Sequence, residues 1–225
     1  GPNCSDSISK TIYVLPSPIP AYSVNESSQC RNGNNFSFTN NSSISAGNLT
    51  SNWQFGDGNV SYNKDPLHTY ISDGIYSVKL VVLSNFGCPD SFTKNISVHP
   101  DPKSDFTVSD SSQCLKRNRF ILTNSSSIKS GTFTQKWEFG DGNDAISYHA
   151  SHIYGIIDSF WIKLLIISDQ VCKDSVQKKV VVHPDQITNF NATDTSVCKG
   201  EIVSFNNTST YISGNLAYHW DFSDG

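Results

Sequence analysis

Apolar and polar residues alternate along most of this chain in short runs, and the period is two. Phe36 and Phe38, then Trp53 and Phe55, each set two large apolar side chains on one face of an extended segment. A strand is expected near 21–24 as well. After the Asn/Ser-rich loop at 40–52 comes the Trp53/Phe55 strand, and a short His68-Thr-Tyr70 element follows the Asp65-Pro66 turn. The longest run puts Tyr76, Val78, Leu80 and Val82 on one face, with Ser77 and Lys79 on the other. A hairpin at 85–88 leads to a closing strand with Ile96 and Val98. Roughly seven short strands, turn signals about every ten residues and no helical period predict an all-β chain built as a β-sandwich.

The same pattern then recurs. Trp53-Gln-Phe55-Gly-Asp57-Gly58 returns as Trp137-Glu-Phe139-Gly-Asp141-Gly142 and again as Trp220-Asp-Phe222-Ser-Asp224-Gly225. The steps between tryptophans are 84 and 83 residues, the signature of one domain copied in tandem. Residues 17–100 form the first copy and 101–184 the second. Residues 185–225 read as the first part of a third copy. Residues 1–16 read as the last strand of a preceding one, because Cys4-Ser-Asp-Ser aligns with Cys88-Pro-Asp-Ser and Cys172-Lys-Asp-Ser, and Ile12 and Val14 with Ile96 and Val98. Short proline-containing joints (Pro16 to Pro20, His99 to Pro102, His183 to Asp185) limit flexibility, so an elongated, semi-rigid rod is expected.

Composition adds exclusions. Hydrophobic residues are 36% and charged residues 16%, with Asn, Ser and Thr filling the difference, as on the outer faces of antiparallel sheets. The net charge of -4 leaves no basic footprint for nucleic acid, and Lys116, Arg117 and Arg119 read as a solvated loop. No run is long enough for a membrane-spanning helix, so no insertion of this segment is expected. With no methionine and no signal peptide, the chain reads as an internal piece of a longer, processed protein.

The repeated motifs resemble a known family. Trp-x-Phe-Gly-Asp-Gly, then Asp-Pro-x-His-x-Tyr, then Gly-x-Tyr-x-Val-x-Leu is similar to the PKD (polycystic kidney disease) domain, and the resemblance covers the whole chain. The cysteine-containing version resembles repeats of giant Bacteroidetes cell-surface adhesins of the SprB gliding-motility type. The resemblance implies an Ig-like β-sandwich used at the cell surface for spacing, force bearing or adhesion. It implies as partners neighbouring repeats, surface polysaccharide or another cell-surface protein. A second implied role is a carbohydrate-binding accessory array on a secreted hydrolase. The second copy departs from the pattern: it lacks the proline before its histidine and carries Asp158 where Gly74 stands. The third has Ser223 for glycine.

Candidate chemistry is sparse. Asp57, Asp141 and Asp224 read as turn caps between glycines, which bond local N–H groups. Calcium-binding relatives keep Asp57 and Asp141 as candidate ligands, although no Asp-x-Asp-x-Asp loop exists here. No other cofactor is expected. His68 and His152 are placed to bond the motif loop of their own domain rather than a metal or a substrate. Without a Gly-x-Ser-x-Gly elbow or a recurring Ser/His/Asp set, no enzyme is expected. Trp161 replaces Ser77 on the outward strand face and is a candidate ligand contact or covered surface aromatic.

The cysteines form two series, Cys4, Cys88, Cys172 and Cys30, Cys114, Cys198, each stepping by 84. This regularity reads as disulfides, which form outside the cytosol. Pairing within a repeat gives Cys30–Cys88 and Cys114–Cys172 and keeps each domain self-contained. In an Ig-like strand order, however, Cys30 and Cys88 lie at opposite ends of the sandwich, beyond the roughly 7 Å reach of a disulfide. The alternative, Cys30–Cys172, links successive repeats. Both pairings stand at this point, with the within-repeat bond favoured.

Overall fold

The structure is a computed structural model describing residues 3–212 and 215–223. Among these residues there is no α-helix. Eight strands form the first sandwich: β1 (Tyr22–Val24), β2 (Ser28–Cys30), β3 (Phe36–Asn40), β4 (Leu49–Gln54), β5 (Val60–Ser61), β6 (Leu67–His68), β7 (Gly74–Ser84) and β8 (Pro89–His99). One sheet runs β2-β8-β7-β4-β5 and the facing sheet β1-β3-β6. The second sandwich repeats the order with β9 (Phe106–Val108), β10 (Ser112–Cys114), β11 (Phe120–Asn124), β12 (Phe133–Glu138), β13 (Asp144–Ala145), β14 (Ala150–His152), β15 (Ser159–Ser168) and β16 (Lys173–His183). Its sheets are β10-β16-β15-β12-β13 and β14-β11-β9. In the third copy, β17 (Phe190–Ala192) pairs with β18 (Phe205–Asn207).

Period-two alternation is what fills each core. In β7 the buried apolar positions are Val78, Leu80 and Val82, while Tyr76 is half-buried at the rim; they meet Phe36 and Phe38 of β3 and Trp53 of β4. Burying one such aromatic contributes about 3 kcal/mol by area alone. Ile162, Leu164 and Ile166 of β15 play the same part against Phe106, Phe120, Leu122 and Trp137. The polar tips of Trp53 and Tyr22 are satisfied. Trp53 Nε1 donates to the Asn63 carbonyl at 3.1 Å, and Tyr22 Oη donates to the Val78 carbonyl at 2.9 Å. In the third copy Trp220 packs on Phe190 and Phe205, with ring centroids 5.4 and 5.9 Å away.

Three features depart from the sequence reading. First, β2 and β10 are additional strands, running parallel to β8 and β16. They have only three polar-rich residues each, too short for an alternation to register. Second, residues 3–18 carry no strand, and Ile12 and Val14 are exposed. A closing strand such as β8 is held by the long strand β7. Third, Asp158 replaces Gly74 without strain, because Gly74 does not have a positive φ. Ser223, by contrast, does adopt φ 55 where Gly56 and Gly140 have φ 84 and 83.

The described residues divide into two compact units. One comprises the described residues up to 101 with Gln170–Cys172, and the other residues 102–169 with the described residues from 173 onward.

Candidate functional site

The Gly-Asp-Gly motif is a tight turn closed by the Phe55 N–H, which donates to the Asn59 carbonyl at 3.1 Å. Gly56 has φ 84, and a Cβ built on it would lie 2.9 Å from the Ser77 carbonyl oxygen and 3.0 Å from its nitrogen. Only glycine fits there, because the turn passes directly over the β7 backbone. Gly140 repeats this over Trp161, whose carbonyl oxygen would lie 2.9 Å away.

The turn aims Asp57 inward. Its Oδ1 accepts the Asn59 backbone N–H at 3.0 Å, and its Oδ2 accepts Asn59 Nδ2 at 2.9 Å and lies 2.8 Å from His68 Nε2. Asp141 makes the same three contacts, with Asn143 at 3.1 and 3.0 Å and with His152 at 2.7 Å. Partial burial works against ionisation of Asp57, but the hydrogen bonds from Asn59 and His68 and the nearby imidazole outweigh it. They hold the carboxyl below its ordinary value. Burial likewise opposes ionisation of Asp141, and bonds from His152 and Asn143 again lower it.

His68 lies flat on Phe55 and edge-on to Tyr70, whose hydroxyl donates to the Phe55 carbonyl at 2.8 Å. Burial first, and the Asp57 charge second, push the Tyr70 phenol well above its ordinary value. Asn34 completes the cluster. Its Oδ1 accepts the Tyr70 N–H at 2.8 Å, and its Nδ2 donates to the Tyr70 and Arg31 carbonyls. Asn118 does the same for Tyr154 and Leu115. Neither asparagine stood out in the sequence; their common spacing of 36 residues to the tyrosine was the available signal.

This constellation is a satisfied hydrogen-bonded knot. The carboxylates of Asp57 and Asp141 are held by nitrogens of Asn59, His68, Asn143 and His152. Trp220 is described, but Asp224 lies outside the described residues. Cys30, Asp101 and Cys172 bring potential metal-binding atoms within 4.8 Å of one another. Two of those three sulfur and oxygen donors are already spent, because Cys30 and Cys172 are disulfide-bonded with a Cα separation of 5.5 Å.

That bond corrects the favoured pairing. Cys88 and Cys114 are free thiols, so neither Cys30–Cys88 nor Cys114–Cys172 forms. The reason is strand order: Cys30 ends β2 beside the C-terminal end of β8, while Cys88 precedes the N-terminal end of that 11-residue strand. Eleven residues of extended chain span about 35 Å.

Two outer-face features remain. Trp161 is 56% exposed on β15, while its neighbour Phe160 is buried. On the first sandwich an open depression of about 830 Å³ is lined by Leu49, Thr50, Ser51, Tyr62, Lys64 and Leu83. Tyr62 was not singled out by the sequence, because nothing in its local pattern distinguishes an exposed tyrosine.

The PKD domain family model matches residues 17–100. The PKD1 domain from Vibrio cholerae metalloprotease PrtV is 30% identical, over 36% of this chain and 96% of that one, with a TM-score of 0.33. The chain belongs to the PKD family. The PKD1 domain of Vibrio anguillarum Epp is 26% identical over 36% of this chain and 93% of that one, TM-score 0.33. Fibronectin(III)-like modules of Clostridium thermocellum CbhA are 12% identical over 73% and 95%, TM-score 0.38. In residues 17–100 the Trp-x-Phe-Gly-Asp-Gly turn, its histidine and its tyrosine are the hydrogen-bonded corner of a PKD domain, and Phe139, Asp141, His152 and Tyr154 repeat its contacts.

Proposed function

We propose that these PKD repeats form part of the extracellular region of a large cell-surface adhesin, where they act as spacer or stalk and contribute to adhesion to surfaces or glycans, in gliding motility among other settings. The recurrence carries this reading: a complete sandwich with its own core occurs twice at a step of 84 residues, and its polar corner is consumed by internal hydrogen bonds. Tandem units of this kind supply length and repeated surface rather than a reaction centre. A disulfide supports an oxidising, extracytosolic location.

Small-angle scattering and adhesion assays test the two halves of the proposal. Scattering from an extended particle and binding of chain-coated beads to polysaccharide are the expected outcomes. A compact particle would remove the spacer role, and failure on every glycan and cell surface tried would remove adhesion.

The exposed Trp161 favours a second reading, a carbohydrate-binding accessory array of a secreted hydrolase, because an exposed indole is a platform for a sugar face. A glycan array on the wild-type chain and W161A separates the two. Binding of one defined polysaccharide that W161A abolishes supports the accessory role.

A further inference from the structure

Cys30 and Cys114 occupy the same frame in successive repeats. Each ends a short strand parallel to the closing strand of its own sandwich, with Cys30 opposite His99 and Cys114 opposite His183. The serine two residues earlier meets that same histidine in both cases, Ser28 with His99 and Ser112 with His183. The loop that follows is clamped by the aspartate of the linker: Asp101 accepts the Asn32 N–H at 2.9 Å and Asp185 the Lys116 N–H at 3.0 Å. On the hairpin side, Cys88 and Cys172 each follow a residue of positive φ, Gly87 at 82 and Val171 at 64. A β-branched residue is strongly disfavoured there, so Val171 marks a hairpin conformation that the fold enforces.

The two frames differ in bonding and in a 3-10 turn, Leu115–Arg117, that follows Cys114 alone. Cys30 is bonded to the hairpin cysteine 142 residues further on, whereas Cys114 is exposed with a free thiol and Cys88 is half-buried with one. We propose that Cys114 makes the same bond with the hairpin cysteine of a further repeat of this type, 142 residues C-terminal to it. Cys88 does so with a loop cysteine 142 residues N-terminal to it. Cys88 and Cys114 are then open ends of a disulfide ladder with one rung per repeat, and not partners of each other. A Cys88–Cys114 bond would run from hairpin to the next loop, the reverse of the order seen in Cys30–Cys172. The inference rests on the register of the repeats and is independent of what the array adheres to.

Each rung forms by thiol–disulfide exchange. The Cys114 thiolate attacks a small-molecule disulfide, giving a mixed disulfide and releasing one thiol. The hairpin thiolate then attacks the Cys114 sulfur and releases the second. Two protein thiols are oxidised, one oxidant disulfide is reduced to two thiols, and the two protons pass to the departing thiolates.

The test is the full chain with a second copy of residues 101–184 inserted after residue 184. The inserted copy carries C114S and K173R, so that its peptides differ from the originals. The protein is refolded in a glutathione redox buffer and its peptides are mapped without reduction. The expected result is Cys114 linked to the hairpin cysteine of the inserted copy, with Cys30–Cys172 retained. Adding C172S to the inserted copy should return Cys114 to the alkylatable pool. A Cys88–Cys114 peptide, or fully alkylated Cys114 beside an intact Cys30–Cys172, overturns the proposal. So does loss of Cys30–Cys172 in that sample, since the shared register would then be wrong.

Discussion

His68 lies flat on Phe55, with ring centroids 4.0 Å apart and planes 5° from parallel. His152 repeats the arrangement on Phe139 at 4.1 Å and 4°. The motif phenylalanine therefore buries one face in the core and offers the other to an imidazole that is itself held by the motif aspartate. One side chain links the turn to the opposite sheet.

Removing that link should be felt as stability. H68A is expected to cost about 1–3 kcal/mol, from a lost hydrogen bond to a charged group and lost stacking. A double-mutant cycle with D57N in urea should show coupling of about 0.5–1.5 kcal/mol. Additive effects would mean that the two residues act separately.

Acid should weaken both corners. The carboxyls of Asp57 and Asp141 are lowered in the folded state from an ordinary value of about 4. Folded groups with depressed values favour the native state once ionised. Their contribution is therefore fully present above about pH 4 and is lost as pH falls through the folded values. Urea midpoints measured from pH 7 to pH 2 should show this loss, and D57N/D141N should flatten it. An unchanged acid limb in the double variant would refute the assignment.

The two glycines of the turn should differ in their tolerance of a side chain. At Gly58 (φ 93) a Cβ meets nothing within 4 Å, so G58A carries only the backbone penalty, about 1–2 kcal/mol. G56A adds the clash with the Ser77 backbone and should cost at least about 1–3 kcal/mol more, read as a lower denaturant midpoint. Equal costs would show that the β7 backbone yields.

Tryptophans on the two faces should behave oppositely. W53A empties a fully buried site and is expected to cost about 3–5 kcal/mol. W161A, on the outer face, should change stability by no more than about 0.5 kcal/mol. Thermal melts of both variants check this, and a large loss in W161A would identify Trp161 as a packing residue.

Much of the local structure was legible in the sequence. Alternation marked the core faces of β3, β4, β7 and β8, since side-chain direction in a strand is set by the residue's own position. The step of 84 residues marked the copies, and the glycine–aspartate–glycine order marked the turn. The three-residue β2 and the buried Asn34 were not legible. Their roles depend on partners 69 and 36 residues away, Ser97 with Ser28 and Tyr70 with Asn34.

What the sequence determined by itself was therefore the periodic part: an all-β chain, its copied domain, and two registers of cysteines. Only the tertiary structure decided which cysteines meet. Strand order across a sheet places Cys30 at one end of β8 and Cys88 at the other, although both belong to one repeat. It also showed the motif aspartate to be the anchor of His68. Periodicity is a property of neighbouring residues, whereas pairing depends on how distant segments are brought together, and no local pattern records it.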